Sequence, residues 1–128
     1  MDRTAPPPLE GRHILVAEDD AWVAGDLADA LREAGACVHG PFDTVAGALA
    51  CIESGVRCDG AVLDIDLAGE TVFPVAQALR ERGIPFVFAT GHVNRPGVPQ
   101  NLHHVPCWAK PFPAEALAAT LPSLIRGR

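Results

Sequence analysis

Short apolar runs alternate with longer segments of helical periodicity along this chain, and this alternation restricts the possible fold more than any other feature. The runs start at His13, Cys37, Gly60, Ile84 and Val105. Most of them are continuously apolar, which is typical of strands covered on both faces. Strands separated by helical segments imply βαβ units with right-handed crossovers. The sequence therefore predicts an α/β fold, a doubly wound five-stranded parallel sheet.

Local signals indicate where the helices begin and end. Asp20 is the expected N-cap of the first helix, and Gly35 lies just past its end. Asp43 or Thr44 is expected to cap the second helix. The third helix should start within two residues before Pro74, because proline is tolerated only in the first turn.

The segment between the fourth and fifth strands does not have a helical pattern. It contains Pro96, Gly97 and Pro99, and each proline removes an amide donor and disfavours helix in the residue before it. The fourth helix is therefore predicted to be short or missing. A mobile loop over Gly91–His104 is expected instead, and its His92, Arg95, His103 and His104 are candidates to contact a partner or the phosphorylated site.

Length and charge limit the possible functions. The 128 residues suit one domain, and we expect a Pro-rich flexible leader over residues 1–10 and one folded domain over residues 11–128. The leader lacks the apolar stretch of a signal peptide, and no apolar run is long enough to span a membrane. A cytoplasmic protein without membrane contact is expected. The net charge of -6 opposes binding to nucleic acid.

Cysteine and tryptophan residues are interpreted as packing residues. The four cysteines are dispersed and form no CxxC pair, so buried, reduced thiols are expected. Trp22 and Trp108 are also expected to pack in the interior. His103, His104 and Cys107 are a weak candidate for a soft-metal site, because no matching Cys/His pair accompanies them.

Polar side chains that could take part in catalysis or ligand binding follow four of the predicted strands. They are Glu18, Asp19 and Asp20 after the first strand, Asp64 and Asp66 at the third, Thr90 at the fourth, and Lys110 at the fifth. Ligands of an open parallel sheet bind outside the carboxyl ends of its strands, so these groups should converge there. Clustered carboxylates repel one another unless a cation lies between them, and Mg²⁺ suits such oxygen ligands.

This inventory predicts phosphoryl transfer. Asp64 stands alone at the end of the expected central strand, and a carboxylate there can act as a nucleophile that forms an aspartyl-phosphate. Thr90 can hydrogen-bond a phosphoryl oxygen, and Lys110 can pair with it. Each residue alone has an ordinary structural explanation, such as a helix terminus, a turn or a solvated charge. The functional interpretation depends on their occurring together at strand ends.

Four motifs together resemble the receiver domains of two-component response regulators. They are Ile14–Asp20, Ala61–Ile65, Phe88–Gly91 and Lys110–Phe112, and the resemblance extends over about residues 11–125. It implies a flavodoxin-like receiver fold and a phosphoprotein of a phosphorelay, of the stand-alone single-domain type. The stretches Gly69–Val75 and Ile84–Gly91 together are similar to a subgroup of stand-alone receivers common in alphaproteobacteria.

The resemblance also implies roles for the acidic residues. Asp19 would ligate Mg²⁺ directly, and Glu18 would do so through water. Asp64 would be both the phosphoacceptor and a metal ligand, and the backbone carbonyl of Asp66 would complete the protein's share of the site. Such a domain is not an enzyme beyond Mg²⁺-dependent self-phosphorylation and autodephosphorylation.

The remaining implied roles concern switching and partners. Thr90 would be the switch hydroxyl, Lys110 would contact the phosphoryl group, and the Lys110–Pro111 bond would be cis. Cys107 stands where receivers usually carry an aromatic switch residue, and Trp108 lies beside it. The implied partners are a sensor histidine kinase or phosphotransfer protein and a downstream protein, with output by protein contact.

Two alternatives stay open at this point. Asp64-Ile65-Asp66 is similar to the DxD motif of haloacid-dehalogenase-type phosphatases. Those enzymes usually place this motif near the N-terminus and carry a second acidic motif after the lysine, whereas only Glu115 follows Lys110 here. A degenerate receiver that serves purely as a binding module is the second alternative.

Overall fold

The main sheet has the predicted parallel architecture. A computed structural model describes residues 6–91 and 97–126 of the chain. The strands of the main sheet are β1 (His13–Ala17), β2 (Cys37–Phe42), β3 (Gly60–Asp64), β6 (Phe86–Thr90) and β7 (Cys107–Ala109). All pair in parallel, in the order β2-β1-β3-β6-β7. Two short strands, β4 (Asp66–Leu67) and β5 (Glu70–Thr71), form an antiparallel hairpin after β3.

Helices cover both faces of the sheet, because successive side chains of each strand point to opposite sides. The described residues contain the helices α1 (Ala21–Glu33), α2 (Val45–Glu53), α3 (Phe73–Glu81) and α4 (Ala114–Arg126). One apolar cluster joins alternate strand residues to α2 and α3, and the other joins the intervening residues to α1 and α4. None of these helices combines the length and apolar character needed to cross a membrane.

Helix termini follow the local signals in the sequence. The Asp20 carboxylate accepts hydrogen bonds from the amides of Trp22 (3.0 Å) and Val23 (3.2 Å), which satisfies two free donors of α1. Of the two candidate caps for α2, Thr44 is the one used, since its hydroxyl accepts from the Gly47 amide at 3.0 Å. Pro74 lies in the first turn of α3, as expected.

A short 3₁₀ turn, Gln100–Leu102, stands in the described part of the segment where a fourth helix was predicted to be short or missing. The fold prediction is confirmed, but residues 97–104 are not a free loop. Leu102 is buried, and the amides of Asn101 and Gln77 exchange two hydrogen bonds of 3.1 and 3.2 Å. The expected contacts of His92 and Arg95 lie outside the described residues.

The packed part of the chain begins upstream of residue 11. Leu9 is fully buried, and its amide donates to the Ala34 carbonyl at 2.7 Å. A buried leucine stabilises the fold by roughly 2 kcal/mol relative to an exposed one, so this contact ties the chain to the end of α1. Residues 1–5 lie outside the described part, and the division into leader and domain stays a prediction.

Two expectations about packing were wrong. Cys37 and Cys107 are exposed, because both lie on edge strands, while Cys51 and Cys58 are half-buried; all four are free thiols. Trp22 is 86% exposed, although the sequence grouped it with the apolar residues of α1. At 100° per residue it lies on the face of that helix opposite the buried Leu27 and Leu31. Trp108 does pack, with its ring edge-on to Phe112 at 6.1 Å between centroids.

Two residues of α1 should therefore differ sharply in their contribution to stability. Leu27→Ala removes a side chain that is 1% exposed and should lower the free energy of unfolding by about 2–5 kcal/mol. Trp22→Ala should change it by less than about 0.5 kcal/mol. Urea denaturation followed by circular dichroism measures both values, and a large loss for Trp22→Ala would show that the indole packs in solution.

Candidate functional site

Strand register brings the predicted site residues to one edge of the sheet. Asp64 is the last residue of β3 and pairs with Ala89, so the next residue of β6, Thr90, ends beside it. Thr90 in turn pairs with Ala109 of β7, and the Lys110 amide donates to the Thr90 carbonyl at 2.9 Å. Glu18 follows β1 directly on the other side of β3. The predicted convergence at the carboxyl edge is thus confirmed.

The Lys110 ammonium group links two buried carboxylates. Its Nζ atom lies 2.8 Å from Glu18 Oε1 and 3.0 Å from Asp64 Oδ2. Glu18 is 4% exposed and Asp64 6% exposed. Carboxylates that lose solvent in this way are costly unless a counter-charge and hydrogen bonds replace the water, and the ammonium supplies both. The Lys110–Pro111 bond is cis, as the resemblance implied.

Backbone amides hold the other carboxylate oxygens. Glu18 Oε2 accepts from the Asp20 amide at 3.0 Å, and Asp64 Oδ1 accepts from the Asp66 amide at 3.2 Å. Asp19 Oδ2 accepts from the Ala68 amide at 2.9 Å, which fastens the β4–β5 hairpin to the end of β1. No local sequence pattern predicts the Asp19–Ala68 contact, because the two residues are 49 positions apart.

The electrostatics of the site reflect its burial. Burial raises the pKa of Asp64 to about 7, and the neighbouring Glu18 adds to the rise while the Lys110 ammonium opposes it. Burial by itself lowers the pKa of Lys110, but its hydrogen bonds to Glu18 and Asp64 outweigh that effect and the pKa is raised. The lysine is therefore charged at neutral pH, and a further cation near Asp64 would favour its ionised form.

The donor set fits a hard divalent cation. Glu18, Asp19 and Asp64 each present a carboxylate oxygen, and these atoms lie within 4.8 Å of one another. Mg²⁺ prefers such oxygen ligands. Asp66, whose carbonyl the resemblance adds to the set, begins the hairpin two residues past Asp64. Asp20, which the sequence grouped with the acidic trio, caps α1 and is not part of this set.

Solved structures similar to this one include close relatives in sequence. The solution structure of SdrG from Sphingomonas melonis Fr1 is 42% identical, with a TM-score of 0.75, and the match covers 89% of this chain and 96% of that one. A BeF₃-activated conformation of SdrG from Pseudomonas melonis Fr1 is 40% identical, with a TM-score of 0.69, and covers 88% of this chain and 95% of that one.

A third similar structure carries a functional description. The response regulator receiver protein from Sinorhizobium medicae WSM419 is 30% identical, with a TM-score of 0.77, and the match covers 92% of this chain and 97% of that one. Neither a protein-family model nor a curated protein sequence matches the chain.

Replacing one acidic residue of this edge should weaken Mg²⁺ binding. Asp19→Asn removes an anionic oxygen from the proposed ligand set and should lower Mg²⁺ affinity at least about tenfold. Asp29→Asn is the matched control, since it makes the same charge change on an exposed residue of α1. Calorimetric titration measures both affinities. Equal losses for the two variants would indicate nonspecific attraction by net charge and contradict a ligand role for Asp19.

Proposed function

The chain belongs to the response regulator receiver family, and on that premise we propose that it is a Mg²⁺-dependent phosphoacceptor. In this proposal Asp64 takes one phosphoryl group from a sensor histidine kinase or a phosphotransfer protein, and the phosphorylated domain signals by protein contact. The relatives that share its fold at 30–42% identity support the receiver assignment. The role of each side chain rests on the geometry of the edge.

The observation that carries the proposal is the position of Asp64 beside Lys110. Asp64 ends the central strand, and its Oδ2 atom lies 3.0 Å from the Lys110 ammonium. A phosphoryl group attached to that carboxylate lies within reach of the same ammonium. Thr90 is buried at the end of the adjacent strand, which supports the proposal that its hydroxyl hydrogen-bonds a phosphoryl oxygen.

The transfer step exchanges one bond to phosphorus for another. A carboxylate oxygen of Asp64 attacks the phosphorus of a phosphohistidine, the new P–O bond forms, and the P–N bond breaks with its electron pair left on the imidazole. Glu18, Asp19 and Asp64 would hold Mg²⁺, which would supply charge neutralisation on the phosphoryl oxygens. Lys110 adds a fixed positive charge, which its hydrogen bonds already orient.

Phosphorylation changes the partners of Lys110. Before transfer, the ammonium is shared between Glu18 and Asp64. After transfer, the Asp64 carboxyl is an acyl phosphate, whose negative charge lies on the phosphoryl oxygens farther from the strand end. The ammonium is expected to follow this charge, and the backbone hydrogen bond from Lys110 to Thr90 connects β7 to the shift.

The output is proposed to be contact with a protein partner. The net charge of -6 disfavours nucleic acid, and a receiver domain itself is a signalling module rather than an enzyme. Cys107, in the position where receivers usually have an aromatic switch, is exposed on β7. It is too small to exchange between pockets as an aromatic ring does, so we assign the conformational response to Thr90 and the segment after it.

Incubation with acetyl phosphate and Mg²⁺ should add the mass of one phosphoryl group. Asp64→Asn should abolish the addition because the nucleophile is lost, and excess chelator should suppress it. Asp43→Asn, an exposed carboxylate after β2, is the control. Intact-mass spectrometry gives the stoichiometry. Labelling of Asp64→Asn at the wild-type level would overturn the site.

The same experiment separates the two alternative functions. Continuous turnover of a phosphomonoester would favour the phosphatase alternative. Absence of labelling in a protein that still binds its partner would favour a degenerate receiver.

Beryllofluoride, a phosphoryl mimic, should slow amide hydrogen exchange in the segment after Thr90. The described part of this segment is held by Leu102, whose amide donates to the Pro99 carbonyl at 2.9 Å, and by the Asn101–Gln77 pair. We expect further protection across Gly91–His104 when the site is occupied. Asp64→Asn should show no response. Strong protection throughout the segment before beryllofluoride is added would contradict a loop that orders on phosphorylation.

A further inference from the structure

Three potential metal ligands meet at the end of the sheet opposite Asp64. Strands β1 and β2 pair so that His13 lies opposite Cys37, and Leu15 lies opposite His39. Cys37 and His39 are two residues apart on one strand, so their side chains point to the same face as that of His13. Glu18 lies five residues beyond His13, which is about 16 Å along an extended strand. The two ends of β1 are therefore separate sites.

The ligand atoms of these three residues are close together. His13 Nδ1 lies 2.9 Å from His39 Nε2, and the two rings stack at 5.1 Å between centroids with an interplanar angle of 24°. The Cys37 thiol and one ring nitrogen of each histidine all lie within 4.8 Å of one another. Cys37 is exposed and the histidines are half-buried, so an ion has access from solvent.

The backbone around the cluster is already fixed. The His13 amide donates to Asp59 Oδ2 at 2.8 Å, and the Cys37 amide donates to the Arg12 carbonyl at 2.8 Å. Asp59 is buried and also pairs with Arg57 at 3.2 Å. These contacts hold the starts of β1 and β2 in register, so a ligand would meet preorganised side chains rather than a loop.

We propose that His13 Nδ1, Cys37 Sγ and His39 Nε2 bind a Zn²⁺ ion, with the fourth coordination position open to solvent. Two imidazoles and one thiolate are a ligand set that Zn²⁺ prefers, whereas Mg²⁺ prefers the oxygen ligands at the opposite end of the sheet. The His103, His104 and Cys107 combination considered from the sequence forms no comparable group among the described residues. The histidine–cysteine cluster thus replaces it as the soft-metal candidate.

Binding requires modest movement and one net proton loss. Zn–N distances of about 2.0–2.1 Å in a tetrahedral site place two nitrogens about 3.3 Å apart, so the histidine nitrogens must separate by about 0.4 Å. The rings must also turn about their Cβ–Cγ bonds to direct a lone pair at the ion. The imidazole that donates in the hydrogen bond between the rings moves its proton to its other nitrogen, and the Cys37 thiol releases its proton to solvent.

The environment favours the form of histidine that binds metals. Partial burial lowers the pKa of His39, and repulsion from His13 lowers it further. The neutral imidazole that this shift favours in His39 is the form that acts as a metal ligand. A bound ion would join the edge strand β2 to β1, and it would stabilise the folded state by an amount that rises with the logarithm of the free ion concentration once that exceeds Kd.

Cobalt and zinc titrations of the full chain test the site. The protein is stripped of metal, kept in a phosphine reductant, and given excess Mg²⁺ to fill the carboxylate site. One equivalent of Co²⁺ should produce a thiolate-to-cobalt charge-transfer band in the near ultraviolet, and Zn²⁺ should displace it. Cys37→Ser should abolish the band. His39→Asn should weaken Zn²⁺ binding by a factor on the order of 100, measured by competition with a chromophoric chelator.

The matched control is Cys107→Ser, which removes the other exposed thiol on the opposite edge strand. It should leave the band and the Zn²⁺ affinity unchanged. Absence of the band from the wild-type protein, its survival in Cys37→Ser, or its loss in Cys107→Ser would overturn the proposal. Far-ultraviolet circular dichroism checks that each variant is folded, and His13→Asn replaces any variant that is not. Phosphoryl uptake by Asp64 is a separate measurement, so failure of either proposal leaves the other testable.

Discussion

The ion pairs of Lys110 with Glu18 and Asp64 connect the carboxyl ends of β1, β3 and β7. The rest of the structure depends on this connection. Two carboxylates that are at most 6% exposed need a counter-charge, and the nearest one follows β7, 46 residues after Asp64. A shift of β7 by one residue would turn the lysine away from both carboxylates, because side chains alternate along a strand. The charges therefore support the strand register, and the register in turn sets the geometry of the phosphoryl site.

Features determined by local sequence could be predicted. The apolar runs predicted the strands, and the residues directly after them predicted the functional groups at the carboxyl edge of the sheet. Capping residues such as Asp20 and Thr44 predicted where helices start. Trp22 was misassigned because it is apolar and near the start of α1, although its position is on the face opposite the buried Leu27 and Leu31. The His13–Cys37–His39 cluster was missed because cross-strand register is not visible in one sequence. Spacing of Cys37 and His39 by two residues was the only local signal.

The segment after β6 shows both the strength and the limit of local reasoning. Gly97 and Pro99 correctly indicated that residues 97–104, the described part of this segment beyond Gly91, do not form a regular α-helix, since each disrupts helical backbone. Nothing local indicated that Leu102 would be buried against the cluster formed by α2 and α3, or that Asn101 would pair with Gln77. A segment held by a few contacts can change its arrangement more readily than a packed helix can. This property suits a region that is proposed to respond to the charge of one phosphoryl group.

The positions of the two indole rings make tryptophan fluorescence a built-in probe of this protein. The chain has two tryptophans and no tyrosine. Trp22 follows the Asp20 cap by two residues and is exposed, while Trp108 precedes Lys110 by two residues and packs against Phe112. Emission excited at wavelengths that phenylalanine does not absorb therefore arises entirely beside the phosphoryl site. The fluorescence of Trp22 responds to solvent and to approaching partners, and that of Trp108 responds to changes in β7, the strand that precedes Lys110. The opposite end of the sheet contributes no tryptophan fluorescence.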